Sequence, residues 1–233
     1  MYSKTPANRR RGAGLERNRR LKQIVRASPP SVMSDPQKLP REFYARPVLI
    51  VARQCIGKVL VHRTAEGEAA GRIVEVEAYR GPLDLAAHSA RGLTNRTAAM
   101  YGPPGHAYVF RLYGTCWAMN LVVANAGEPH AVLIRAVEPV GGIELMARRR
   151  RRPVASRELT NGPGKLAQAM AITGADYARD LCGDELYLSA GDGRPVKIGR
   201  SARINVDYAG AWVARKWRFY ERANPYVSVK PRE

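Results

Sequence analysis

At 233 residues with 45% hydrophobic side chains, the chain can bury a core of ordinary size without disulfide or metal staples. Its charge is less ordinary: 39 Lys and Arg against 20 Asp and Glu leave +19, a balance that favours a polyanion, nucleic acid before an anionic membrane surface. Three scattered cysteines (Cys55, Cys116, Cys182) and four histidines without ligand spacing exclude a disulfide framework and a Cys-x-x-Cys zinc site, so neither metal nor cofactor is expected.

Residues 1–38 hold ten Lys or Arg against Glu16 and Asp35 and carry +8 of the charge with almost no aromatic residues, which reads as a disordered basic arm. The N-terminus lacks the apolar core of a signal peptide, and the apolar run Val48–Ala52 stops at Arg53, well short of the ~20 residues of a membrane span. The expectation is a soluble intracellular protein, cytoplasmic in a bacterium or nuclear in a eukaryote, without a membrane partner.

The folded domain is expected over residues 39–233. Pro47 suits the first turn of a helix through Ile50, Val51 and Cys55, with Gly57 as its stop. Lys58–Arg63 and Ala70–Tyr79 read as strands separated by the polar turn Glu66-Gly67-Glu68. A loop punctuated by Gly and Pro, 81–105, is long for a compact domain, and such loops are usually functional. Three strands follow at His106–Tyr113, Trp117–Ala124 and Ala131–Val137, then helices over Gly141–Arg150 and Gly162–Ile172, then short strands around Arg203–Val206 and Trp217–Tyr220. The pattern predicts one α+β domain: a curved, mainly antiparallel sheet with flanking helices and a protruding β-hairpin.

Strand alternation puts Glu75, Glu77 and Tyr79 on one face and Val74, Val76 and Ala78 on the other. Packing the apolar face on a core leaves two carboxylates and a phenol toward a surface or cavity. Either carboxylate, partly desolvated, suits a general base acting on water, and parity does not separate Glu75 from Glu77. Gly114 between two strands predicts a tight turn with Tyr113 at a hairpin tip, where an aromatic can wedge into a base stack. Arg135, in an otherwise apolar strand, needs a carboxylate or another acceptor, and Glu77 would serve. Gly162-Pro163-Gly164-Lys165 lacks the first Gly and the Ser or Thr of a phosphate-binding Walker loop. Gly162, Gly164 and Lys165 suit a milder task, holding one DNA backbone phosphate at a helix start. The arginine run Arg148–Arg152 reads as a solvated loop rather than a base reader.

Taken in order and spacing, these segments resemble the alkyladenine (3-methyladenine) DNA glycosylase family. The resemblance rests on Arg72–Pro82 with Asp84 and Ala86–Ser89, then Tyr113-Gly114 with Met119-Asn120, then Leu133–Pro139, then Asn161–Leu166, and it extends to Trp217–Tyr220. It implies that Glu77 is the base activating the water that attacks C1′, with Glu75 in support and Arg135 beside the glutamate and the water. It implies that Tyr79 and His88 stack on or hydrogen-bond a flipped base, with Phe110 where the family often has a tyrosine. Tyr113 then fills the gap in the duplex, and Asn120 at the pocket floor disfavours guanine by clashing with its amino group. Phe110 and the Thr115-Cys116 pair depart from the family pattern.

The implied activity is that of a monofunctional, monomeric glycosylase of base excision repair. It would flip 3-methyladenine, 7-methylguanine, hypoxanthine or ethenoadenine from double-stranded DNA and hydrolyse the N-glycosidic bond. The alternative from another class is a non-enzymatic basic binder of DNA or structured RNA.

Overall fold

The computed structural model describes residues 37–230, together with Met1 and Tyr2. Of the arm expected over residues 1–38, positions 3–36 lie outside the described residues. From Gln37 the chain runs beside a strand, with Lys38 bridged to Ser189 and the Leu39 N–H donating to the Leu188 carbonyl.

Two helices come first, α1 over Arg41–Tyr44 and α2 over Val48–Cys55. Pro47 caps α2, and Val48, Val51, Ala52 and Cys55 bury its inner face at helical spacing. A β-sheet follows, its strands β1 (Val59–Thr64), β2 (Gly67–Arg80), β3 (Ala107–Leu112), β4 (Cys116–Val123) and β5 (His130–Gly141). Later segments add α3 (Ile143–Arg150), α4 (Pro163–Ala169), β6 (Leu186–Ser189), β7 (Ile198–Ser201) and β8 (Arg218–Glu221). The eight strands pair antiparallel in the order β3-β4-β5-β2-β1-β6, with β8 alongside β2 and β7 alongside β8. β2 is the spine. Its first half pairs with β1 and residues Glu75–Glu77 pair with β8, while β5 follows its other edge along nearly its whole length. The main core gathers Val51 and Ala52 of α2, Met146 of α3 and Leu166 of α4 with Ile73, Val76 and Ala78 of β2. Among the described residues no helix is long and apolar enough to cross a membrane.

Three local expectations are corrected. The alternation of β2 breaks at Val74: Ile73 faces Val137, Glu75 faces Ala136 and Val76 faces Ile134, so Val74 and Arg135 are each left without an opposite residue. Val74 accordingly packs with Ala136 and Val227 instead of joining Val76 and Ala78 in the main core. Arg203–Val206 forms no strand but a bend, with Asn205 at φ +58°. Arg148–Arg150 close α3 instead of forming a loop, and Arg149 and Arg150 donate to the Ala169 and Leu159 carbonyls, capping chain ends that would otherwise lack donors.

Candidate active site

Glu75 and Glu77 of β2 are both fully buried, and they meet different partners. Glu75 Oε1 accepts Arg218 Nε at 2.7 Å, Arg135 Nε at 2.9 Å and Ser228 Oγ at 2.9 Å, and Oε2 accepts the Ser228 N–H at 2.6 Å. Every one of these donors is protein, so Glu75 is spent on tying β5, β8 and the C-terminal segment to β2. Glu77 holds a smaller set. Its Oε1 accepts the Ile204 N–H at 2.8 Å, and its Oε2 accepts the Tyr79 hydroxyl at 2.8 Å and Arg135 Nη1 at 3.3 Å. All three of those donors line one cleft of about 860 Å³, a size that suits a small organic ligand.

The donors are electrostatically matched to the carboxylate. Burial, reinforced by the Glu77 charge, raises the Tyr79 phenol well above its ordinary pKa, so it stays protonated and donates. Burial works against the Arg135 charge, but Glu77 and Glu75 outweigh it and raise the guanidinium's pKa. A backbone N–H, a phenol and a bidentate-capable arginine leave the carboxylate little rotational freedom.

Beyond Tyr79 the cleft wall is aromatic. His88 and Phe110 meet edge to face at a centroid separation of 4.5 Å, and Tyr108 lies 5.4 Å from Phe110. His88 Nδ1 is 2.8 Å from the Tyr108 hydroxyl. Burial first, then the charges of Arg96 and Arg91, lower the His88 pKa to about 4, so the ring is neutral at physiological pH. A flat ligand entering here meets π faces and one uncharged imidazole. Asn120, opposite Tyr108 across β3 and β4, is buried and also lines the cleft, with its Nδ2 donating to the Tyr108 carbonyl at 3.1 Å.

The β3–β4 hairpin carries Tyr113 at its tip. The Thr115 N–H closes the turn on the Leu112 carbonyl at 3.1 Å, with Tyr113 at φ +49° and Gly114 at φ +71°. Left-handed backbone is natural for glycine and costs other residues about 1 kcal/mol. A tyrosine held there while 82% exposed is therefore a functional signal. Beside the hairpin stem, α4 begins at Gly162–Lys165. A Cβ on Gly164 would come within 2.7 Å of Cys116 Sγ, so glycine lets the helix start press against β4. Lys165 Nζ donates to Asn161 Oδ1 at 2.9 Å and stands 3.4 Å from Glu158.

The cleft thus brings Tyr79, His88, Phe110, Tyr113, Asn120, Arg135 and Gly162–Lys165 together, with Glu77 directly behind its floor. Sequence reasoning missed Ile204, Arg218, Ser228 and the buried ion pair of Arg203 with Asp84. Their only sequence signal is that Arg203 and Arg218 sit in apolar surroundings, where a guanidinium demands a carboxylate. Among the described residues no group of three or more His, Cys, Asp or Glu side chains is arranged to hold a metal ion.

Residues 42–225 match the model of the family described as methylpurine-DNA glycosylase. A protein of Clostridium acetobutylicum named "Putative 3-methyladenine DNA glycosylase" is 46% identical over 200 residues, covering 82% of this chain and 98% of that protein. One of the same name from Methanocella arvoryzae is 49% identical over 194 residues, covering 82% of this chain and 96% of that protein. A third, from Alkaliphilus oremlandii, is 46% identical over 201 residues, covering 83% and 100%.

Proposed function

This chain belongs to the methylpurine-DNA glycosylase family, hydrolases of N-glycosyl bonds that act in base excision repair, and from that premise we propose how its own residues do the work. Tyr113 enters the duplex at the lesion and occupies the space of an extruded nucleotide. The flipped purine lies in the aromatic cleft among Tyr79, His88 and Phe110. Extrusion costs a few kcal/mol and least where the base is damaged or badly paired, which supplies part of the selectivity. Glu77 accepts a proton from a water molecule as that oxygen attacks C1′ of the sugar. The C1′–N bond breaks and its electron pair leaves with the purine: an alkylated, cationic base departs neutral, hypoxanthine or ethenoadenine departs as an anion that takes up a proton from solvent, and the sugar is left as an abasic site. Arg135, held from behind by Glu75, orients the Glu77 carboxylate toward the cleft.

One observation carries this reading. Glu77 is fully buried, yet each of its three hydrogen-bond donors, Tyr79, Arg135 and Ile204, is a wall of the cleft. An ion-paired glutamate with a purely structural task would have no reason to be held by three such groups. The substrates are alkylated or deaminated purines in double-stranded DNA: 3-methyladenine, 7-methylguanine, hypoxanthine and ethenoadenine. The neutral His88 supports hydrogen bonding, rather than charge repulsion, toward a base that is already cationic from alkylation. Asn120 beside the Tyr108 carbonyl is the group that excludes the guanine amino substituent. The protein acts as a monomer, and Gly162, Gly164 and Lys165 take one backbone phosphate.

The test is a panel of duplexes, each with a single one of these four lesions, incubated with the protein and treated with alkali. Strand cleavage at the lesion is expected for the wild type, whereas Glu77→Gln should still bind lesion DNA without releasing the base. Normal turnover by Glu77→Gln, or no cleavage anywhere on the panel, would overturn the reading.

A further inference from the structure

Ile204 reaches Glu77 from a segment, 202–206, that belongs to no strand and no helix. Its N–H stays on Oε1 only if something else fixes the backbone there. The neighbouring side chain does so. Arg203 turns inward, fully buried, and grips Asp84 in a fork, Nη1 on Oδ2 at 2.5 Å and Nη2 on Oδ1 at 2.8 Å. Nη1 also donates at 3.0 Å to the carbonyl of Ala78, the residue between Glu77 and Tyr79. The guanidinium carbon stands 4.8 Å from the centroid of the Tyr79 ring, whose hydroxyl bonds Glu77. Asp84 in turn accepts the Arg80 and Ala86 N–H groups, each at 3.1 Å, and so anchors the loop that leads to His88.

We propose that Arg203, through its fork to Asp84, is a positioning residue for the reaction: it sets the Ile204 N–H and the Tyr79 ring so that Glu77 is held in its reactive orientation. The proposal rests on Glu77 being the water-activating base. A buried ion pair is a poor source of stability, because desolvating two charges offsets most of their attraction, and apolar residues fill such a volume at least as well. Apolar residues could not fix three backbone pieces against one another, namely β2 at Ala78, the turn at Asp84–Ala86 and the bend at Ile204. The guanidinium does this because it is planar and offers donors in several fixed directions at once. It ties down two of the three Glu77 donors, and the third, Arg135, is fixed separately by Glu75.

Arg203→Lys tests this directly, since lysine keeps the charge and loses the fork. Misplacement of a catalytic group by about 1 Å costs on the order of 100-fold in rate. The expected result is a single-turnover excision rate, measured at saturating protein, reduced about 10- to 100-fold at neutral pH. The acid limb of the pH–rate profile should also move to higher pH, because a carboxylate that loses an N–H donor is more easily protonated. Asp84→Asn keeps the shape and removes the charge, and is expected to shift the limb the same way by a smaller amount. An unchanged rate, or a rate loss that follows the folded fraction seen by circular dichroism with the acid limb unmoved, overturns the proposal. Failure of both variants to fold does so too, because the pair would then serve the fold as a whole. Glu77→Gln, measured alongside, separates the two readings. If it turns over, the assignment of the base fails. If it is inactive while the Arg203→Lys limb stays in place, only the positioning role falls.

Discussion

Glu75→Gln should damage the fold far more than Glu77→Gln, although the two carboxylates lie two residues apart on one strand. Glu75 is shared by two guanidinium groups, Arg135 and Arg218, and is the only carboxylate ion-paired with Arg218 among the described residues. A glutamine at position 75 leaves Arg218, itself 2% exposed, with Ser201 and a backbone carbonyl as neutral partners. Breaking a buried pair in this way costs about 3–5 kcal/mol. At position 77 the loss is milder, about 1–2 kcal/mol, because Arg135 keeps Glu75 and the amide still offers an acceptor. With a urea slope of about 2 kcal/mol/M, the unfolding midpoint should fall by about 1.5–2.5 M for Glu75→Gln and by about 0.5–1 M for Glu77→Gln. Urea titration at pH 7, followed by tryptophan fluorescence and circular dichroism together, measures both. Activity should order the two variants the other way, with base release lost in Glu77→Gln and only reduced in the folded fraction of Glu75→Gln, whose amide still offers Arg135 an acceptor. Equal midpoints for the two variants would refute the division of labour between the carboxylates.

Two further predictions follow from the cleft walls. His88 has a folded pKa of about 4 against an ordinary value of 6.5, so below pH 6.5 the unfolded chain takes up a proton that the folded protein refuses. Stability present at neutral pH is therefore lost as the pH falls from about 6.5 toward about 4. Melting temperatures at pH 7 and pH 5 should decline less in His88→Gln than in wild type; equal declines would count against a buried neutral imidazole. Gly164→Ala sets a methyl group 2.7 Å from Cys116 Sγ and should destabilise by about 1–3 kcal/mol through overpacking. Adding Cys116→Ala to the same molecule should recover most of that loss in thermal unfolding, and strictly additive losses would mean that the two residues do not touch.

Local pattern was enough to read β1 to β5, because their apolar and β-branched runs are long and their turns carry Gly. The Pro47 start of α2 and the Tyr113-Gly114 turn were legible for the same reason. Four-residue β6 and β7 are too short to show a period. Arg203-Ile204-Asn205-Val206 alternates like a strand, but the backbone there is fixed by an ion pair to Asp84, 119 residues earlier, and such a partner leaves no local trace. The Val74 break is also silent, since β-bulges need no glycine and the residues around it alternate without interruption. Glu75 and Glu77 could not be told apart because what distinguishes them, Arg218 and Ser228, arrives from the last strand and the chain beyond it. Tyr79, His88, Phe110, Tyr113, Asn120 and Arg135 were each visible in the sequence; their convergence was not, because it depends on which strands neighbour which.

The unmatched residues of β2 and β5 have a consequence for which deletions this sheet can tolerate. Position numbers across the pair sum to 210 just below the irregularity, from Gly71 and Pro139 to Ile73 and Val137, and to 210 again above it, as for Val76 and Ile134. The extra residue in one strand is cancelled by the extra residue in the other within three positions. The distortion that turns Arg135 toward both glutamates is thus sealed off, and neither the hairpin at one end of the sheet nor β1 at the other is displaced by it. Loss of Val74 alone would throw the rest of β2 one step out of phase with its partner and turn core residues outward. Loss of Val74 together with Arg135 would restore the phase and leave a regular sheet, still able to fold but without the guanidinium that joins Glu75 to Glu77. The peculiarity of this candidate site is therefore a matched pair of additions to an ordinary ladder.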